Sequence, residues 1–342
     1  MRTPIFKIIF ALTALALASC DEWDVQMDTQ VMRDGSCVRT VTTDDDGCLT
    51  EDEGWDVLET KDSVDVLRNK VQGVTVSRKF ERVEDMNGSP ALQIFGRPLK
   101  SEATLDRKFK WFYTDYTFTE TFRGWEDSFN IPVTDYMSQD EASFWFTGYP
   151  ELPKGITGKE LDYLSDISCN AEHWAFDVMW DIYFRSIAEY YDQIGNPPVD
   201  RETFLSMRDT VMKSAYEKEI NVMDFVGDNG ALEYLDRFFN TNVFTETDIP
   251  DAETYGGTLW YQSVGLGCLK VSYTLKMPGK VIDAGRGQVE DGVIQYRFGG
   301  DYLITGDYTF TASSRCVNVW AFLLAGLVIT VAVGSFFIGK KN

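Results

Sequence analysis

The chain has 342 residues, of which 44% are hydrophobic and 14% aromatic, so its composition is that of a folded protein with a sizeable core. Its formal net charge is −22 at pH 7, and a field of that sign repels phosphate-rich partners. We therefore expect no nucleic-acid partner and no general anionic-lipid-binding face.

The amino terminus has the three parts of a bacterial lipoprotein signal peptide. Arg2 and Lys7 flank the start of an apolar run, residues 8–18, that is too short to cross a bilayer. The sequence Leu-Ala-Ser-Cys at residues 17–20 resembles the lipobox that lipoprotein signal peptidase cuts before a diacylated cysteine. We therefore predict removal of residues 1–19 and lipidation of Cys20, with fatty acyl chains such as palmitate. The alternative is an uncleaved signal anchor with an incidental cysteine.

Residues 20–125 predict a β-rich part, because β-branched and aromatic residues recur in extended runs. Apolar and polar residues alternate only imperfectly in the run at 104–122, because Lys108 and Lys110 share a strand face with aromatic residues. One long strand or two strands fit this run equally well.

Residues 126–255 predict a helical insertion. Ser138 and Glu141 form one capping-box pattern, and a second lies at 157–160. The β pattern returns at 256–314 with three strand candidates. The fold class predicted is therefore α+β, with one β-sheet built from both flanks of the ectodomain around a helical insertion.

The segment 169–194 is the most informative of the predicted helices. Its apolar residues follow helical spacing in two rows and leave only a narrow polar stripe. The stripe runs through His173, Asp177, Asp181, Arg185 and Glu189. We expect this helix to be sandwiched in the core, with ion pairs between stripe residues four apart.

Residues 317–338 carry no charge and are long enough to span a bilayer, which predicts one C-terminal transmembrane helix followed by a cytoplasmic tail at 339–342. Gly326, Thr330 and Gly334 recur every four residues and form a candidate helix–helix contact face. The acidic residues after Cys20 resemble both a signal that retains lipoproteins in the inner membrane and a signal that sends them to the cell surface. The predicted transmembrane helix favours the inner membrane. We therefore expect a bacterial inner-membrane protein with its ectodomain in the periplasm.

An oxidising periplasm permits disulfides among the other cysteines. Cys37 and Cys48 flank an acidic turn and form the favoured pair. Cys268 and Cys316 flank the last strands and form a weaker candidate. Cys169 stands one helical turn before His173, but the chain has a single histidine, so we predict no metal site and no histidine-based catalytic triad.

The order of segments near the carboxyl end resembles that of LppM-like bacterial envelope lipoproteins. The likeness rests on residues 268–342, with their Met277-Pro278-Gly279 turn, and on Asp34-Gly35-Ser36 near the lipidated start. It implies a membrane-tethered, β-rich domain that binds rather than catalyses, with lipids as suggested ligands. The helical insertion and the strong negative charge depart from that family.

Two functions fit these features. The first is a doubly membrane-anchored lipoprotein whose non-catalytic ectodomain binds or scaffolds an envelope protein or an apolar ligand, without a cofactor. The alternative is a carboxylate-dependent hydrolase acting on envelope glycans, which needs two acids about 5–10 Å apart in a cleft.

Overall fold

The computed structural model describes most of the chain between residues 23 and 339. The described ranges are 23–43, 49, 54–58, 64–66, 69–71, 73–94, 96–148, 158–217, 230–247, 266–267 and 269–339. The predicted signal peptide, the tail at 340–342 and the residues Cys20, Cys48 and Cys268 lie outside them.

The strands form two main sheets and two short hairpins. They are β1 (Trp23–Val31), β2 (Cys37–Thr43), β3 (Asp56–Leu58), β4 (Val64–Val66), β5 (Asn69–Val71), β6 (Val74–Phe80), β7 (Gln93–Ile94), β8 (Arg97–Pro98), β9 (Ser101–Lys110), β10 (Tyr113–Phe122), β11 (Leu269–Lys276), β12 (Lys280–Asp283), β13 (Gln288–Glu290), β14 (Val293–Gly299) and β15 (Tyr308–Val317). The larger sheet has the order β13-β14-β11-β1-β2-β6-β3, and the smaller has the order β12-β15-β10-β9.

Both flanks of the chain contribute strands to each main sheet. In the larger sheet β1 pairs in parallel with β11, with Trp23 opposite Leu269. In the smaller sheet β10 pairs with β15. The α+β class is confirmed, but the carboxyl-terminal strands divide between two sheets where one was predicted. The chain passes from β11 of the larger sheet to β12 of the smaller sheet at Gly279. The φ of Gly279 is +84°, and a side chain at this position would collide with the Arg315 carbonyl.

The two sheets pack face to face over an aromatic core. Burial alternates along β10, so that every second residue points inward. Phe122 packs against Phe298 of the other sheet with a ring-centroid distance of 4.8 Å. Tyr273 likewise meets Phe310 at 4.8 Å. Residues 101–122 form a two-stranded hairpin rather than one long strand, because the chain turns at residues 111–112 and places Lys110 opposite Tyr113.

Seven α-helices are described. They are α1 (Gln139–Thr147), α2 (Gly158–Tyr190), α3 (Arg201–Ser206), α4 (Arg208–Glu217), α5 (Gly230–Phe239), α6 (Val243–Glu246) and α7 (Val319–Gly339). The capping box at Ser138 is confirmed, because its side chain accepts from the Glu141 amide while the Glu141 carboxylate accepts from the Ser138 amide. The pattern at 157–160 begins outside the described residues.

Helix α2 is continuous over 33 residues and begins eleven residues before the segment predicted from residue 169. One side, including Trp174 and Val178, packs on the core between the sheets. The other side, including Trp180 and Phe184, builds a second core with the remaining helices of the insertion. The expected sandwiched position of this helix is therefore confirmed, and α2 joins the two cores.

The carboxyl-terminal prediction needs correction. Within the part of the chain that the structure describes, no helix is found that is both long and apolar enough to cross a membrane. Val317 still belongs to β15, and α7 starts only at Val319. The predicted transmembrane helix at 317–338 is therefore wrong on this structure.

Candidate functional site

A buried ionic cluster joins the two main sheets at their middle. Arg39 of β2 forms a two-pronged salt bridge with Glu120 of β10, with distances of 2.8 Å and 2.6 Å. The Tyr273 hydroxyl donates to Glu120 at 2.7 Å, and the Arg39 Nε donates to the Thr29 hydroxyl at 3.1 Å. Glu120 is fully buried. Because each charge is buried and faces its partner, this cluster holds the sheets together and offers no group for chemistry on a substrate.

The polar stripe of α2 contains a second set of acids. Asp181 is only 2% exposed, and it accepts from Arg208 at 2.7 Å, from Arg185 at 2.6 Å and from Asn130 at 3.1 Å. The expected ion pair between Asp181 and Arg185, four residues apart, is therefore confirmed. Both oxygens of this carboxylate already have partners.

Asp177 lies one turn earlier on the same stripe. The Tyr136 hydroxyl donates to it. Burial raises the pKa of Asp177 to about 6, against the opposing effect of the Arg208 guanidinium. An acid whose pKa is raised by burial, next to a second acid, is an arrangement that acid–base catalysts use. This pair differs from such a site because Asp181 is buried and held by three donors.

His173 occupies the turn before Asp177. Its ring meets the Tyr216 ring edge-on at 3.9 Å between centroids. Burial lowers the pKa of His173, and its Nε2 is buried with no hydrogen-bond partner among the described residues. Among those residues no group of three or more histidine, cysteine or acidic side chains is placed to hold a metal ion. The ring therefore acts as an aromatic packing element.

The β9–β10 hairpin extends past the end of the larger sheet. The Tyr116 hydroxyl donates to the carbonyl of Arg33, and Arg107 donates to the carbonyl of Asp34, both in the turn that closes β1 and β2. The residues that follow Arg107 in β9, up to Lys110, lie beyond this level, and they are exposed. The hairpin therefore projects as an arm from one end of the sandwich.

The end of this arm carries a group of exposed aromatic side chains, which we call the aromatic tip. Its members are Phe109, Trp111, Phe112 and Tyr113 of the hairpin and Trp320 and Phe322 of the first turn of α7. Phe109 is 59% exposed and Trp111 is 50% exposed. Exposed aromatic residues gathered in one place mark a contact surface more often than scattered ones do.

Ring contacts and hydrogen bonds fix the two segments of the aromatic tip to each other. Trp320 stacks on Phe109 with a centroid distance of 6.2 Å and an interplanar angle of 5°. Phe322 lies 4.7 Å from Phe112. Asn318 donates from its amide nitrogens to the carbonyls of Phe112 and Trp111, at 2.9 Å and 3.1 Å. The tip is therefore a preformed surface on a sheet, not a set of unconnected side chains.

Basic residues surround the aromatic tip. Between Asp106 and Asp115 the hairpin contains Arg107, Lys108 and Lys110, and Arg315 on the neighbouring strand faces Asp115 at 2.6 Å. Four basic residues against two acidic ones make this end locally positive, although the whole chain is strongly negative.

The predicted cysteine pairs are only partly visible. Cys37 and Cys316 are buried, and burial raises the pKa of the Cys37 thiol to about 11. Their expected partners Cys48 and Cys268 lie outside the described residues, so both pairings stay predictions. Cys20 also lies outside them, and its lipidation is likewise untested.

The predicted contact face on α7 is open to solvent among the described residues. No heavy atom lies within 4 Å of the Cβ position at Gly326 or Gly334. The Thr330 hydroxyl donates to the Gly326 carbonyl of its own helix at 2.8 Å. Self-association through this face stays a prediction.

Sequence reasoning missed the aromatic tip. Its signal was the imperfect alternation at 104–122, where aromatic and basic residues follow one another without a buried face. At an exposed hairpin end neither face of the strands is covered, so apolar and polar residues need not alternate there. No family model, curated protein or solved structure matches this chain.

Proposed function

We propose that the chain is a lipid-anchored protein of the bacterial envelope whose folded part binds a partner through the aromatic tip and does not catalyse a reaction. The observation that carries this proposal is the tip itself, a preformed and exposed aromatic surface at one end of the fold. Binding surfaces are enriched in such residues, because large rigid rings offer contact area at little cost in conformational entropy.

The state of the buried acids supports the absence of catalysis. Glu120 is engaged by Arg39 and Tyr273, and Asp181 by Arg185 and Arg208. A buried carboxylate that accepts from an arginine and from a second donor at hydrogen-bond distance is a poor nucleophile or base. These acids serve the fold.

The lipobox at residues 17–20 supports the lipid anchor in the bacterial envelope. The resemblance to LppM-like lipoproteins supports a membrane-tethered β-rich binding domain. A mass spectrum of the amino-terminal peptide tests the anchor. We expect Cys20 to be the first residue and to carry acyl chains, and an unmodified peptide that begins at Met1 would refute it.

A photocrosslinking amino acid placed at Phe112 tests the binding surface in living cells. The same residue placed at Lys100 is the matched control, because Lys100 is exposed and immediately precedes β9, the strand that ends at Lys110. We expect adducts from position 112 and none from position 100. Equal yields at both positions would contradict a specific surface at the tip.

The carboxylate-dependent hydrolase is the second candidate, and the raised pKa of Asp177 beside Asp181 is the observation that favours it. Release of soluble fragments from purified envelope glycans measures this activity. The binding function predicts no release by the wild type. Release that is lost in Asp177→Asn, with the fold intact, would replace the first proposal with this one.

A further inference from the structure

We infer that the aromatic tip is a contact with the interface of a lipid bilayer that contains anionic headgroups. This inference rests on the proposed function, because it names the partner of the same surface. It is built on the composition of the tip, on its charge and on its position relative to the lipidated end.

The composition of the tip matches the chemistry of a membrane interface. Trp and Tyr concentrate where hydrocarbon meets water, because their rings are apolar and their N–H and O–H groups are polar. Trp111, Tyr113 and Trp320 are of this kind and stand beside Phe109 and Phe112. The apolar side chains that follow in α7 are also exposed, among them Leu323, Leu324 and Leu327.

The charge of the tip has the sign that anionic lipid attracts. Lys108 and Lys110 stand on either side of Phe109, and their side chains are more than half exposed. They form ion pairs with Asp106 and Asp115 at 2.8 Å and 2.7 Å, so their attraction to a membrane is reduced and not abolished. The chain as a whole, with a net charge of −22, is repelled by an anionic bilayer. The locally positive tip is suited to approach one.

The lipid anchor does not account for this contact. Trp23 starts β1 at the opposite end of the sandwich from the tip. Phe122, at the far end of β10, packs against Phe298 of β14. Phe298 is paired with Val271 of β11, and Val271 with Val25 of β1, two residues after Trp23. At about 3.3 Å per residue the tip and Trp23 are roughly 40 Å apart. Cys20 precedes Trp23 by three residues, which span at most about 10 Å. The tip is a second membrane contact, separate from the anchor.

Fluorescence quenching by brominated lipids tests the inference on the full-length chain. The protein is reconstituted into vesicles of phosphatidylethanolamine and phosphatidylglycerol with brominated acyl chains, which quench only those indoles that touch them. The double variant Trp111→Phe/Trp320→Phe removes both indoles of the tip while keeping aromatic rings there. Trp55→Phe/Trp145→Phe is the matched control, because both of these indoles are half-buried elsewhere on the sandwich core.

We expect the tip variant to lose about half or more of the lipid-quenchable emission and the control variant to retain it, because interfacial indoles lie within reach of the acyl chains. Cys20→Ser should leave the quenching unchanged. Replacing Lys108 and Lys110 by Gln should lower the quenched fraction roughly two- to five-fold with phosphatidylglycerol present and leave it unchanged in phosphatidylcholine vesicles.

Equal quenching in the tip variant and the control would overturn the inference. A crosslink from position 112 to a protein in cells, together with no quenching by brominated lipid, would also overturn the inference. In that case the binding function would stand, with a protein as the partner. No quenching and no adduct together would remove both proposals.

Discussion

The β9–β10 hairpin has one half inside the sandwich and one half outside it, and the two halves contrast in every physical respect. In the inner half Glu120 and Phe122 are buried, and the charge of Glu120 is matched by Arg39. In the outer half Trp111 and Phe112 are exposed, although they are as apolar as the core. The same two strands thus carry stabilising core contacts at one end and an exposed surface for binding a partner at the other. Changes in the inner half should affect stability, and changes in the outer half should affect binding.

The largest effect on stability is expected from Glu120→Gln. This change leaves the Arg39 guanidinium buried without its counter-charge, which costs about 3–5 kcal/mol in the free energy of unfolding. Urea denaturation of the wild type and the variant measures it. Glu102→Gln is the control, because Glu102 pairs with Arg123 on the exposed side of β9 and should cost less than about 1 kcal/mol. Equal losses in both variants would contradict the importance of the buried pair.

Removing both members of that pair sharpens the comparison. Arg39→Met combined with Glu120→Leu replaces two charges by apolar side chains and leaves no unpaired ion in the core. We expect the double variant to be more stable than Glu120→Gln alone by about 3–5 kcal/mol, because it removes the uncompensated buried charge. A double variant that is less stable than the single one would indicate that the pair contributes net stability through its hydrogen bonds to Thr29 and Tyr273.

The next effect is a pH dependence that comes from Asp177. Its pKa is raised to about 6 in the folded state from about 3.9 in the unfolded state, so folding favours the protonated form. This contribution is complete below about pH 4 and is lost as the pH rises through 6, a decrease of about 1–2 kcal/mol for a half-exposed group. Asp177→Asn should remove the decrease and be more stable than the wild type at pH 7. Unfolding free energies measured at pH 4, 5, 6 and 7 check the sign.

The smallest effect on stability is expected at the tip. Trp111→Ser removes an exposed indole from the end of the arm, so we expect a change of at most about 0.5 kcal/mol in the free energy of unfolding. Val57→Ser on the exposed edge strand is the control for the loss of an exposed apolar side chain. A loss of 2 kcal/mol or more in Trp111→Ser alone would show that the tip is part of the core.

The sequence predicted those parts of the fold that depend on local chemistry. The capping box at Ser138, the sandwiched helix with Trp174 and Trp180 on opposite sides, and the α+β class follow from spacing alone. The division into two sheets did not follow, because it depends on the close approach of Gly279 to Arg315, a contact between distant segments. The pairing of Arg39 with Glu120 was also hidden, since 81 residues separate them.

The candidate site was less accessible to sequence reasoning than the fold. Attention to acids and cysteines led to Asp177, Asp181 and the cysteine pairs, whereas the exposed surface was formed by aromatic residues from two segments far apart in the chain. Trp111 and Trp320 meet only because β10 pairs with β15 and α7 begins where β15 ends. Pairing of this kind cannot be read from the spacing of residues in one segment.

Amide hydrogen exchange of the full-length chain, with and without phosphatidylethanolamine–phosphatidylglycerol vesicles, tests the division of the hairpin most directly. Without vesicles we expect slow exchange at 118–122 and fast exchange at 109–113, because only the inner half is buried. Added vesicles should slow exchange at 109–113 and leave 118–122 unchanged. Protection that appears on the helical insertion while 109–113 stays fast would contradict the account and would place the binding surface elsewhere.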